Sequence, residues 1–220
     1  MLPLRALIVE DSDDDAVLLV RELQRAGYST TSTRVDSAPA LQEALDQGPW
    51  DLVFADYTMP GFNAFAALEM VKKHLQDVPF IIVSGTIGED LAVTAMKAGA
   101  HDYFLKSNMA RLVPVVQREL REAAARQEHR RIEAERTQLI SIIEATSDMV
   151  GICDPRGHML YLNAAGRKMM RVALDEDISG SSISSCYPPE ARQALWEQVI
   201  PTAIREGIWS GESILVNRDR

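Results

Sequence analysis

Residues 4–35, LRALIVEDSDDDAVLLVRELQRAGYSTTSTRV, contain the pattern that decides the fold. The apolar run Leu4 to Val9 ends in carboxylates, and a helical stretch near 14–26 follows and stops at Gly27. The β-branched but polar run Tyr28 to Val35 then predicts a strand at a sheet edge. A strand, a helix and a second strand in this order are typical of a parallel α/β sheet.

The same alternation continues to about residue 108. Apolar runs at Leu52 to Ala55 and Phe80 to Val83 predict strands covered on both faces, and Ala100 to Leu105 predicts a fifth, half-polar strand. Helical stretches lie between them, near 38–47, 62–76 and 88–98. The pattern therefore predicts an α/β domain with a doubly wound parallel sheet of five strands.

The composition narrows the class of protein. Of the 220 residues, 46% are hydrophobic and 25% are charged, which is typical of folded globular chains. The net charge of −9 argues against direct contact with nucleic acid. With no run of about 18 apolar residues, no membrane span is expected. The start of the chain lacks the layout of a secretory signal, and two cysteines are too few for a disulfide scaffold, so a cytoplasmic location is expected.

Residues 110–146 predict one long linker helix, because the segment lacks glycine and is rich in Glu, Arg, Gln and Ala. A heptad pattern runs through Ala125, Ile132, Leu139 and Thr146. This pattern predicts a coiled coil and a homodimer through the helix. A solvated helix that joins two domains accounts for the same residues equally well.

The sequence pattern changes again after Ser147, from one long helix to short predicted strands and helices. Short strands are predicted at Met149 to Cys153 and Met159 to Leu162, followed by a helical piece at Arg192 to Ile204 and a late strand at Glu212 to Val216. A single hairpin with one extra strand makes a poor closed sheet. We therefore expect an incomplete second domain and a fragment of a longer protein.

Polar side chains follow four of the five predicted strands: Glu10 and Asp11, then Asp56, then Ser84, then Lys106. Because functional residues of an open parallel sheet gather at the carboxyl ends of its strands, we expect these side chains to converge. Crowded carboxylates favour Mg²⁺, and a carboxylate can also act as a nucleophile towards phosphorus. Asp56 fits the nucleophile because it stands alone at its strand end, whereas Glu10 and Asp11 are paired like metal ligands. The neighbouring acids of residues 13–15 are expected to cap the first helix.

Residues 1–122 resemble the receiver domain of two-component response regulators. The matching segments are LIVEDSDDD at 7–15, DLVFADYTMPGFNAF at 51–65, IIVSGTIGED at 81–90 and AGAHDYFLKSN at 98–108. The resemblance implies a sheet of order 2-1-3-4-5 and the acceptance of a phosphoryl group from a histidine kinase or phosphotransfer protein. It also implies that the last receiver helix continues into the linker helix.

The resemblance assigns roles at the acidic edge of the sheet. Asp56 matches the phosphoacceptor, and Glu10 with Asp11 matches the pair that binds Mg²⁺. The main-chain carbonyl of Thr58 is implied as a further metal ligand.

Three more positions match the phosphoryl-binding and switch residues of the family. They are Ser84 at the hydroxyl position, Tyr103 at the aromatic position and Lys106 at the lysine position. The family lysine is usually followed by proline in a cis peptide, whereas Ser107 follows here. A cis bond without proline costs about 2.5–4 kcal/mol, so both the cis and the trans form of Lys106–Ser107 stay open.

Residues 147–220 resemble the first part of a PAS sensor domain. The matching segments are SDMVGICDPRGHMLYLNAAG at 147–166 and GIWSGESILVNRDR at 207–220. This implies a partial α+β domain without the two strands that would follow, and its ligand is unknown.

Three functions compete for the acidic edge. The leading hypothesis is a non-enzymatic phosphoacceptor that signals through the linker helix to the PAS-like module, as the N-terminal part of a larger sensor or hybrid protein. A Mg²⁺-dependent aspartyl-phosphate phosphohydrolase is the alternative, although Thr58 occupies the place where such enzymes carry a second acid. A flavodoxin-like nucleotide carrier is disfavoured, because acids rather than a phosphate-binding loop follow the first strand.

Overall fold

A computed structural model of the chain describes residues 1–85 and 89–217. Residues 86–88 of the segment at 81–90, and residues 218–220 of the segment at 207–220, lie outside the described residues, as does the first residue of the helix predicted near 88–98. The chain divides into two compact units, Met1–Arg131 and a second that begins at Ile132.

The first unit alternates strands and helices as predicted. Its elements are β1 (Leu2–Val9), α1 (Asp13–Arg25), β2 (Tyr28–Val35), α2 (Ala38–Asp46), β3 (Leu52–Asp56), α3 (Ala64–His74), β4 (Phe80–Ser84), α4 (Glu89–Ala98) and β5 (Asp102–Leu105). All five strands pair in parallel, in the order β2-β1-β3-β4-β5. The predicted doubly wound sheet is therefore confirmed.

Side chains that alternate along each strand separate two hydrophobic cores, one on each face of the sheet. Ala6, Ile8, Phe54 and Val83 are among the residues that pack on the face covered by α1 and by the helix that follows β5. Neighbouring positions on the same strands pack on the face covered by α2, α3 and α4, including Leu7, Val9, Val53 and Ile82. Both faces of the inner strands are covered, which explains their nearly unbroken apolar sequence.

The helix ends follow from local hydrogen bonding. Ser12 caps α1 in place of the acids expected at 13–15, and its hydroxyl accepts a hydrogen bond from the Asp15 amide at 3.3 Å. The three acids lie in the first turn of the helix. The predicted start of the fifth strand at Ala100 was two residues early. The Ala100 amide still donates to the Ala95 carbonyl at 3.0 Å, closing α4 through Gly99 at a φ of +90°, so β5 begins at Asp102.

A single helix, α5 (Leu112–Ala145), follows a short 3₁₀ turn and confirms the predicted long helix. Its first turns bury Leu112, Val115 and Val116 against the receiver core. Pro114 lies in the first turn, where a missing N–H is tolerated.

The second unit is a small α+β arrangement. An antiparallel pair of strands, β6 (Gly151–Cys153) and β7 (Met159–Leu162), is followed by three helices, α6 (Ala164–Met170), α7 (Pro189–Ala194) and α8 (Ile200–Glu206). Its buried core consists of Met159, Leu162, Met170 and Ile178.

One prediction in this unit is refined and one was wrong. The predicted helical piece Arg192 to Ile204 is helical throughout, but a wider π turn at Leu195–Val199 joins α7 to α8 and precedes Pro201, a residue without an N–H to donate. The predicted strand Glu212 to Val216 is not a strand. The Val216 amide donates to the Cys186 carbonyl at 2.9 Å, and Cys186 belongs to a 3₁₀ turn rather than to a neighbouring strand.

Candidate functional site

Three carboxylates meet at the carboxyl edge of the five-stranded sheet. Glu10 directly follows β1, Asp11 comes next, and Asp56 is the last residue of β3. Because β1 and β3 are parallel neighbours with Val9 opposite Ala55, the residues that leave them emerge side by side. One ligand oxygen from each of the three acids lies within 4.8 Å of the other two.

This cluster is mostly removed from solvent. Glu10 is 1% exposed and Asp56 is 6% exposed, whereas Asp11 is exposed. The Oδ1 atom of Asp56 is buried and has no hydrogen-bond partner among the described residues. A buried carboxylate oxygen without a partner is costly, and an all-oxygen donor set is the kind that Mg²⁺ prefers. The residues present therefore fit a hard divalent cation.

Lys106 contacts two of the three carboxylates, those of Glu10 and Asp56. Its Nζ atom lies 2.8 Å from Glu10 Oε2 and 3.3 Å from Asp56 Oδ2. The end of β5 positions it, since the Lys106 amide donates to the Ser84 carbonyl at 2.8 Å. In the described part of the chain every peptide bond is trans, including Lys106–Ser107.

The charges at the site perturb one another. Burial raises the pKa of Glu10 and the charge of Asp56 adds to this, while hydrogen bonds from Lys106 and the Ser12 amide oppose it. Burial alone would lower the pKa of Lys106. Hydrogen bonds to Asp15 and Glu10 and the nearby carboxylate charges outweigh that effect, so the pKa of Lys106 lies well above its ordinary value. The ammonium therefore stays charged at neutral pH.

The remaining predicted site residues lie on the adjoining strands and loop. Ser84 is the last residue of β4 and is fully buried. Tyr103 lies in β5 and is half-buried against the core on the α4 face. Thr58 is exposed and lies two residues beyond Asp56, so its carbonyl belongs to the loop that begins directly after this acid.

Two contacts were missed at the sequence level. Asp15, expected only as a helix-start acid, also binds Lys106, with Oδ2 at 2.5 Å from Nζ. Arg34 at the end of β2 donates to the Glu10 carbonyl at 2.8 Å and pairs with Asp13 at 2.6 Å. The run of acids at 13–15 was the only sequence feature that pointed to the contact with Lys106. The sequence alone does not show which of the three side chains is directed towards the site.

Comparisons with known proteins identify two domains in the chain. The family model of the response regulator receiver domain matches residues 6–117, and the PAS fold model matches residues 143–207. The nitrogen assimilation regulatory protein NtrX of Azorhizobium caulinodans is 30% identical over 174 residues, covering 74% of this chain and 38% of the relative. The DNA-binding transcriptional regulator NtrC of Rhizobium meliloti is 34% identical over 119 residues, covering 52% of this chain and 24% of the relative.

Solved structures show the same fold. The crystal structure of NtrX from Brucella abortus superimposes with a TM-score of 0.53 at 23% identity, covering 68% of this chain and 36% of that chain. The chain thus spans well under half of the length of the relatives named here. DNA binding is part of the name of NtrC, so the expectation that this chain avoids nucleic acid stays a prediction.

A search of the described residues for membrane-spanning helices gives a negative result. Within residues 1–85 and 89–217, no helix combines the length and apolar content that crossing a bilayer requires. Receiver and PAS domains are regulatory modules rather than catalytic output domains. The chain belongs to the response regulator receiver family of two-component systems, and a PAS fold follows its receiver domain.

Proposed function

We propose that the receiver accepts a phosphoryl group on Asp56, in a Mg²⁺-dependent reaction, from a histidine kinase or phosphotransfer protein. The observation that carries this proposal is the convergence of Glu10, Asp11 and Asp56, with ligand oxygens within 4.8 Å of one another beside Lys106. A cluster of this kind at the carboxyl edge of a parallel sheet suits phosphoryl transfer, in which positioning and charge stabilisation do most of the catalysis.

The chemistry uses the buried Asp56 carboxylate as the nucleophile. One of its oxygens supplies the electron pair for the new O–P bond, the N–P bond of the donor phosphohistidine breaks, and the imidazole leaves. Glu10, Asp11, Asp56 and the Thr58 carbonyl would hold Mg²⁺, which supplies charge neutralisation at the phosphoryl oxygens.

Lys106 completes the charge balance. It already contacts Glu10, Asp15 and Asp56, so it can exchange a carboxylate partner for a phosphoryl oxygen without leaving the site. The new group adds about −1.5 to −2 charge, by analogy with other phosphorylated side chains. The fixed ammonium stabilises this charge.

The switch that we propose follows from the positions of Ser84 and Tyr103. The Ser84 hydroxyl donates to the phosphoryl group, and Tyr103 on the neighbouring strand adjusts to the space behind it. This changes the surface formed by α4, β5 and α5. Since α5 extends from Leu112 to Ala145 and the PAS match begins at residue 143, the linker helix carries the change to the PAS-like module.

Two further parts of the proposal concern assembly and location. A homodimer through α5 is supported by the exposure of Ile132, Leu139 and Ile142 on that helix. A cytoplasmic location, where the phosphohistidine donors would meet the receiver, is a prediction from the sequence.

The test is stoichiometric labelling by a small phosphodonor in the presence of Mg²⁺. Wild-type protein and the control Asp46→Asn, an exposed aspartate at the end of α2, take up one phosphoryl group per chain, and Asp56→Asn takes up none. Equal labelling of Asp56→Asn would refute the assignment. Rapid multiple turnover on a phosphomonoester would instead favour the phosphohydrolase.

A further inference from the structure

Charged residues recur at every fourth position along the first half of α5. Arg118, Glu122, Arg126 and Arg130 form a continuous row along the helix surface, because residues four apart are neighbours there. At 1.5 Å per residue the set spans about 18 Å. Each member makes an ion pair, and together they form a series that we call the α5 ladder.

The first end of the α5 ladder is attached to β5. Arg118 pairs with Asp102, and its Nη2 atom lies 2.7 Å from the buried carboxylate of Glu119. The other oxygen of Asp102 accepts a hydrogen bond from the Tyr103 amide at 2.6 Å. Because side chains alternate along a strand, Asp102 points to the α5 face, like Phe104, while Tyr103 points to the α4 face.

The other end is attached to the loop between α3 and β4. Asp77 Oδ1 lies 3.4 Å from Arg126 Nε, and Asp77 Oδ2 contacts Arg130. The side chain of Asp77 is only 18% exposed, and its backbone adopts a left-handed conformation with a φ of +60°. Glu122 bridges the two ends, at 3.9 Å from both Arg118 and Arg126.

The ladder marks a change in how α5 is attached. Leu112, Val115 and Val116 are buried in the receiver core, and Leu120 packs partly against it. Beyond these residues Arg126 and Arg130 pair with Asp77, and the compact unit extends to Arg131, well past the end of the family match at residue 117.

We propose that the α5 ladder is a releasable latch for the linker helix, with Asp77 and Asp102 as its two fixed points on the receiver. Apolar packing holds the start of α5 firmly, whereas partly exposed ion pairs are weak and are screened by salt. The latched segment beyond these apolar contacts, residues 121–130, can therefore detach while the receiver stays folded. A link from Tyr103 to the latch through Asp102 rests on the proposed function, but the latch itself does not.

The latch can be tested by amide hydrogen exchange with mass spectrometry on the whole, unphosphorylated chain. Asp77→Asn removes the charge at one fixed point, and asparagine tolerates the left-handed backbone of this position. Glu133→Gln is the control, because it removes the same charge from an exposed site on α5 beyond the ladder. We expect exchange in residues 121–131 to be about two- to fivefold faster in Asp77→Asn, since detached helical turns are only marginally stable.

The salt dependence of exchange provides a second test of the latch. In the wild-type chain, about 0.5 M salt should speed the same amides while those of β1 and β3 keep their rates, and in Asp77→Asn salt should add little. Unchanged exchange in Asp77→Asn, or an equal rise in Glu133→Gln, would overturn the latch. If Asp77→Asn fails to fold, the salt titration of the wild-type chain decides alone, and exchange of residues 121–131 that does not depend on salt rejects the proposal.

Discussion

Among single residues, Lys106 balances the negative charge of a group of mostly buried acids. Its ammonium contacts three carboxylates, two of which are almost fully buried. Removing one partner of a buried ion pair leaves the other charges uncompensated, and this costs more than the pair itself contributes. The lysine is thus expected to stabilise the metal-free site, in addition to the role in phosphoryl transfer that we propose for it.

We therefore predict that Lys106→Met destabilises the metal-free protein at neutral pH by about 1–3 kcal/mol, because Glu10 and Asp56 lose their cation. Added Mg²⁺ should restore part of this loss, since it supplies the missing positive charge. The measurement is urea unfolding with and without Mg²⁺. Equal stability of variant and wild type without the metal would show that the acids do not need this partner.

Replacing Ser84 is expected to weaken the response to phosphorylation more than it weakens stability. Ser84→Ala removes only a hydroxyl from a fully buried position, so the free energy of unfolding should fall by at most about 1 kcal/mol. The change that a phosphodonor causes in the NMR signals of Tyr103 should be strongly reduced. The variant lacks the Ser84 hydroxyl that is proposed to donate a hydrogen bond to the phosphoryl group. The same change in both proteins would contradict the proposed switch.

For helices and strands, patterns with a fixed period were the most predictable features. The apolar runs of the inner strands and the glycine-free linker located β1, β3, β4 and α5 within a few residues. The segment 212–216 was mispredicted because a strand needs a neighbour to pair with, and a local sequence does not show whether one is present.

The exposed apolar side chains of α5 make a testable prediction about assembly. Leu139 is 62% exposed at a heptad position, so Leu139→Asp should weaken a dimer formed through this helix. Sedimentation velocity over a range of concentrations measures the effect, with Thr137→Asp as the control on another face of the helix. A wild-type chain that is monomeric at every concentration would support the solvated linker helix instead.

For the whole chain, the sheet topology explains why the acidic site could be predicted and its surroundings could not. Parallel strands bring Glu10 and Asp56 to one edge in any sheet of this order, whatever the details of packing. Contacts such as Asp15 with Lys106 or Asp77 with Arg126 join side chains whose directions depend on loop conformation and tertiary packing. No pattern with a fixed period encodes them.

Mapping the phosphorylated residue decides whether Asp56 is the phosphoacceptor. Wild-type protein is treated with a small phosphodonor and Mg²⁺, reduced with borohydride, which converts an aspartyl phosphate to homoserine, and digested for mass spectrometry. We predict homoserine at position 56 alone, lost when the metal is chelated and absent from Asp56→Asn. Homoserine at another aspartate, or at position 56 without any divalent cation, would contradict the account.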